Sequence, residues 1–206
     1  MRRSIQPALI VRLFLVALPL IVHCLGPAAP ALGQAPKPKP DSKKQQQVLP
    51  PQIHYGTEGL PRPVLEMREA MLASIESGQI EELRHAWDLN ELKPDLGASP
   101  QADPVAHWKR ISGDGLGRDV LAALSLILEA GYVVLPLGPD LENNRLYVWP
   151  HFAESPLNRL TPRQEVELLR LVPPGAAREM KEKGKYTHWR LVIGADGTWH
   201  TLRKAD

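Results

Sequence analysis

"KYTHWRLVIGADGTWHTLRK", Lys185 to Lys204, decides how the second half of this chain folds. Two runs of alternating apolar and polar residues flank Asp196-Gly197, a dipeptide suited to the positive φ of a tight hairpin turn. Alternation puts Trp189, Leu191 and Ile193 on one face of the first strand. Carried across the turn in regular register, His200 and Leu202 join that face. His188, Arg190, Val192, Trp199 and Thr201 fall on the other. A loop of two or of four residues gives the same partition.

Upstream of the hairpin, "YVVLPLG" and "NRLYVWP" read as two more strands around a turn containing "GPDLENN". Thr161-Pro162 then opens a helix, "PRQEVELLRLV", with Gln164 or Glu165 placed to bond back to the cap. Pro173-Pro174 ends it, and "GAAREMKEKG" is a short charged helix closed by Gly184. Further upstream, "LGRDVLAALSLILEAG" carries a wide apolar stripe of Val120, Leu121, Leu124, Ile127 and Leu128, which marks it as the central core helix. Pro63 starts an earlier helix with Val64, Met67, Met71, Leu72 and Ile75 near helical spacing, and Gly78 stops it. "QIEELRHAWDLNEL" follows as a second short helix, "KPDLGASPQAD" as a loop, and Asp103-Pro104 caps "VAHWKRI". The fold class is therefore α+β, with N-terminal helices packed on an antiparallel sheet that ends in the C-terminal β-hairpin.

Gly113, Gly115 and Gly117 precede the core helix and raise the question of a phosphate loop. Their spacing is G-x-G-x-G, not G-x-G-x-x-G, and the segment before them is helical rather than a strand. A nucleoside-triphosphate loop would also need Lys and Ser or Thr after the last glycine, where Arg118 and Asp119 stand. The stretch reads as a connection in which Ser112 or Asp114 caps the helix. No cofactor is implied.

The start of the chain reads as an export signal, residues 1–33. Arg2, Arg3 and Arg12 give a positive region without acids, Leu13 to Val22 is an apolar run of ten, and Ala31 to Gly33 fits a small-x-small cleavage rule. Ten apolar residues fall short of the about 20 that span a bilayer, so no stable transmembrane span is expected after cleavage. Cys24 follows His23, which is too large for a lipidation site, and leaves with the signal. The remainder has no cysteine, hence no disulfide, thiolate metal site or thiol nucleophile. Without its three signal arginines the chain carries 22 basic and 23 acidic residues, a formal charge of −1. That leaves no basic field to draw nucleic acid. Residues 34–62, rich in Pro, Lys and Gln, read as a disordered linker. Residues 63–206 then form a single domain.

Candidate chemistry is sparse. His188 and His200 fall on opposite strand faces, and His85 and His107 on separate helices, so no metal site is expected. No serine has the G-x-S-x-G elbow. His151 and Glu154, three apart, with Asp196, are the candidate catalytic groups. Tyr147, Trp149, Phe152 and Trp199 are the candidate ligand-binding aromatics, because rings beside polar groups suit a sugar or peptide groove.

"YVWPHFAE", "LTPRQEVELLRLV" and "YTHWRLVIGADGTW" together resemble an uncharacterised family of exported alphaproteobacterial proteins, over much of the chain from about Asp103 onward. The resemblance implies export and a single fold, and carries over no activity and no catalytic residues. The resulting expectation is a periplasmic, non-catalytic binding or envelope-maintenance module whose partner is an envelope protein, glycan or lipid. The alternative is an envelope hydrolase acting on peptidoglycan or another glycan through His151, Glu154 and Asp196. A third reading is an assembly factor that docks through the apolar stripe of Pro63 to Leu92.

Overall fold

The computed structural model describes residues 51–99, 102–138 and 144–205. The expected export signal, the expected linker as far as residue 50 and residues 139–143, where the sequence predicts a turn, lie outside the described residues. Eleven regular elements follow in order: β1 (Ile53–His54), α1 (Arg62–Ser77), α2 (Leu83–Asp88), α3 (Pro104–Ile111), α4 (Arg118–Glu129), β2 (Tyr132–Pro136), β3 (Arg145–Trp149), α5 (Pro162–Leu171), α6 (Pro174–Lys183), β4 (Trp189–Gly194) and β5 (Trp199–Lys204). The strands form one antiparallel sheet in sequence order, β1 to β5. This is the expected α+β arrangement, closed by the β4–β5 hairpin.

Each helix boundary has a local cause. Asp103 accepts the Ala106 N–H at 2.8 Å and caps α3, with Pro104 in the first turn. Thr161 and Gln164 form a capping box on α5. Gly78 and Gly184 close α1 and α6 in the left-handed conformation. The stripe on α4 is buried at all five expected positions, Val120, Leu121, Leu124, Ile127 and Leu128. Each such side chain contributes roughly 1.5–3 kcal/mol by leaving water. With α1 it packs on the face of the sheet that carries Tyr147, Trp149, Leu191 and Ile193.

The start of α4 differs from expectation. Its N-cap is Gly117, at φ 82°, and neither Ser112 nor Asp114 occupies the cap. Those two brace the preceding loop instead. Asp114 Oδ1 accepts the N–H groups of Leu116 and Gly117 at 2.9 and 3.0 Å, and Ser112 Oγ accepts Gly117 N–H at 3.0 Å. Asp119 Oδ2 accepts Gly113 N–H at 2.8 Å. The N–H groups that a phosphate would use are thus met by the loop's own carboxylates. The Ser112 hydroxyl, then these N–H groups, hold the Asp114 carboxyl below its ordinary range.

The folded body begins earlier than expected. Ile53 and His54, placed in the linker by composition, pair with Val133 and Tyr132 as β1. Leu60 is buried in the core, and His54 stacks on the Tyr132 ring at 5.4 Å. Composition missed this because two residues suffice for an edge strand when a partner strand exists.

The hairpin also departs from regular register. Ile193 pairs with Trp199 and Val192 with Thr201, which leaves His200 as the extra residue of a β-bulge. Trp199, not His200, therefore shares the core face with Leu191, Ile193 and Leu202. Gly194 makes room for the bulge, since a Cβ there would stand 2.9 Å from His200 Nε2. A glycine inside a strand pattern was the available sign.

Candidate functional site

The candidate catalytic residues do not converge. His151, fully buried, lies in the short 3₁₀ turn after β3. Its Nδ1 is 3.2 Å from the Ser155 hydroxyl, and its Nε2 is 3.6 Å from Glu167 Oε2 on α5. The latter exceeds hydrogen-bonding reach, and Nε2 has no hydrogen-bond partner among the described residues. Glu154 turns away to ion-pair with Arg190 at 2.7 Å. Asp196 sits at the hairpin tip, where it accepts the Thr198 N–H at 3.0 Å and hydroxyl at 2.9 Å.

Glu167 is the partner that sequence reading missed. Its Oε1 accepts the Gly131 N–H at 2.7 Å, and its Oε2 accepts the Tyr55 hydroxyl at 3.0 Å. Burial pushes its carboxyl up, but the nearby His151 imidazole and the bonds from Gly131 and Tyr55 together hold it below the ordinary value. Tyr55 is raised in turn, by burial and then by the Glu167 charge. Ser155, His151 and Glu167 are thus aligned as hydroxyl, imidazole and carboxylate. The imidazole is 0% exposed, so no substrate atom reaches it in this conformation. The cluster is a latch joining β1, the start of β2 and α5. Helical spacing on α5 could not reveal it, because both partners come from distant segments.

The candidate ligand-binding aromatics form filled interior rather than a groove. Tyr147, Trp149, Phe152 and Trp199 are each 3% exposed or less. Tyr132, Tyr147 and Trp149 lie ring to ring at 4.9–6.4 Å. Trp199 stacks on Trp108 at 6.1 Å, with Trp87 edge-on to both at 6.3 Å. Large rings next to polar residues marked the strand ends correctly but gave no sign of which face they take.

The histidines also serve structure. His107 is buried, with Nε2 3.1 Å from the Leu96 carbonyl and Nδ1 2.7 Å from Arg110. Since Arg110 can only donate, the proton sits on Nε2 and goes to Leu96. His85 is exposed beside Glu82. Among the described residues no group of three His, Cys, Asp or Glu side chains is placed to hold a metal ion. Burial first, then the Arg110 charge, depresses His107, and burial then Lys204 depresses His188. On unfolding each returns toward its ordinary value of 6.5. The unfolded chain therefore takes up protons first as pH falls. Both histidines contribute stability that is present above pH 6.5 and lost as pH falls through their folded-state values. Thermal melts at about pH 7, 6 and 5 should show a falling Tm, with a shallower fall in His107→Gln. An identical slope in that variant would remove His107 as a cause.

The other face of the sheet is built differently. Val133, Val148 and Val192 form a small apolar cluster on it, flanked by Leu135 and Leu146. Toward β5 this floor opens into a cleft of about 430 Å³ whose lining includes Leu146, Val192, Lys185, Arg190, His200 and Arg203. Arg190 and Arg203 stand directly opposite each other on β4 and β5. Like charges at that spacing repel. Carboxylates from outside the two strands offset the repulsion, Glu154 on Arg190 and Asp95 on Arg203 at 2.8 Å. Arg190 Nε remains buried without a hydrogen-bond partner among the described residues. The β-bulge turns His200 toward this cleft together with Thr201.

No helix among the described residues is long and apolar enough to cross a membrane. No family model, curated protein or solved structure matches the chain.

Proposed function

We propose that this protein is an exported, periplasmic, non-catalytic binding module that holds an anionic component of the cell envelope on the outer face of its sheet. One observation carries the reading: the cross-strand pair Arg190–Arg203 in an apolar-floored cleft. Each guanidinium is held by one carboxylate, Arg190 by Glu154 and Arg203 by Asp95, and with five N–H donors apiece the pair can still donate side by side to a carboxylate or phosphate. The apolar floor of Leu146 and Val192 suits the hydrocarbon stem that carries such a group. Lys185 and His200 extend the same side of the cleft.

Export is supported by the charged, apolar and small-residue order of the first 33 residues and by the resemblance to exported proteins. The envelope is the compartment that such a signal serves. A non-catalytic role is favoured because the acid–base groups singled out in the sequence go to separate structural partners.

Calorimetric titration with soluble dihexanoyl phosphatidylglycerol and with a peptidoglycan stem peptide tests the reading, with dihexanoyl phosphatidylcholine as the neutral control. At least one anionic probe should bind, and more weakly at high salt. Lys185→Gln and Arg203→Gln should each weaken binding about tenfold, which corresponds to about 1.4 kcal/mol. Equal affinity for the neutral lipid, or no loss in either variant, would show that the paired arginines do not select an anion.

A further inference from the structure

A second face of the molecule is built for a partner of opposite charge. The apolar stripe of Pro63 to Leu92, expected as a docking surface, is mostly spent inside: Val64, Met67 and Met71 pack in the core. What remains outside is Leu89 and Leu92, at 65% and 78% exposure the most exposed large apolar side chains among the described residues. They border a groove of about 490 Å³ whose lining also includes Pro63 and the carboxylates of Glu66, Glu91 and Asp196.

These leucines are held outward by the fold. Asn90 stands next to Leu89 and is itself buried. Its Oδ1 accepts the Trp199 N–H at 2.7 Å, and its Nδ2 donates to the Ala86 carbonyl at 2.9 Å. That ties the end of α2 to β5 and prevents the loop from rolling its leucines into the core. The far wall is equally firm. Gly197 lies so close to α1 that a Cβ there would stand 2.8 Å from the Pro63 carbonyl oxygen. A preorganised apolar pair loses little entropy when covered.

We propose that this groove docks a cationic, amphipathic segment of a partner protein, with apolar side chains against Leu89 and Leu92 and Lys or Arg against Glu91 and Asp196. Charge selects the occupant. Glu66 is already matched by Arg62 at 2.8 Å, whereas Glu91 and Asp196 give the groove its negative sign. A second copy meeting this face about a two-fold axis would set Glu91 and Asp196 against their own equivalents, which is repulsive. A basic amphipathic peptide meets both the apolar and the electrostatic demand. The groove shares no lining residue with the arginine cleft, and the two adjoin where Asp196 lies beside His200.

Fluorescence anisotropy with a labelled 12-residue Leu/Lys amphipathic peptide, added to the purified protein, tests the assignment. Micromolar binding is expected, weakening as salt is raised. Leu92→Ser and Glu91→Lys should each raise Kd at least tenfold without moving Tm, since both side chains are exposed. Lys185→Gln, on the other face, should leave this binding unchanged. Three results would each overturn the proposal. They are no binding up to about 1 mM peptide, binding that neither groove variant weakens, and self-association of the protein that Leu92→Ser abolishes.

Discussion

Trp199→Ala is expected to lower the unfolding free energy by about 3–5 kcal/mol, a large share of a domain's total. The indole is 0% exposed and stacks on Trp108 with an interplanar angle of 7°. Trp87 meets both rings edge-on. One side chain on β5 thereby joins α2 and α3 to the sheet. Truncation leaves a void bordered by two rigid rings that cannot collapse to fill it. The indole Nε1 of Trp199 has no hydrogen-bond partner among the described residues, so Trp199→Phe should retain most of the stability. Urea unfolding followed by circular dichroism measures both variants. A loss below about 1 kcal/mol for Trp199→Ala would mean that the trio does not hold the layers together.

Glu167→Ala should cost about 2–3 kcal/mol, while Glu167→Gln should cost clearly less. The carboxylate serves Gly131 N–H, Tyr55 hydroxyl and the Nε2 edge of His151 at once. Alanine leaves a backbone donor and a buried imidazole without their neighbour. Glutamine keeps an acceptor for one of them. Because Glu167's carboxyl is held below its ordinary value of 4.5, it contributes stability that is present above about pH 4.5. That contribution is lost as pH falls through the folded-state value, and both variants should lack it. Denaturation midpoints at about pH 7 and pH 4 measure the effect. If Glu167→Ala left the midpoint unmoved at both, the latch would carry no stability, and the aligned hydroxyl, imidazole and carboxylate would need another explanation.

Local chemistry was legible wherever a few adjacent residues decide the outcome. Asp103-Pro104, Thr161-Pro162 with Gln164, and the glycines at 78 and 184 set helix ends through bonds within one turn, and all stand where the sequence places them. The α4 stripe was readable because a helix between other elements buries one continuous face. The start of α4 was not, because Ser112 and Asp114 reach their backbone partners through a loop whose path depends on Gly115 and Gly117, both at positive φ.

The candidate site was legible only as residue types. His151 was singled out, but its neighbours Glu167, Ser155 and Tyr55 come from the next helix, the following turn and a segment assigned to the linker. The strand aromatics were also singled out, yet their face follows from where the helices pack. The arginine pair was within reach of the sequence, because the regular register of the hairpin already sets Arg190 opposite Arg203 and the bulge at His200 changes the pairing only nearer the turn. The cleft around the pair was not, because its walls come from distant segments.

From the sequence alone come the α+β class, the order of helices and strands after β1, the hairpin at Asp196-Gly197 and the buried stripe of α4. All are consequences of periodicity and of bonds between near neighbours. Tertiary structure alone decided that Trp199 points inward, that His151 is enclosed by Glu167, and that two arginines share an outer cleft while two leucines are held outward. Those outcomes depend on which distant segments meet. A strand has two faces of nearly equal local energy, so packing and one extra residue choose between them.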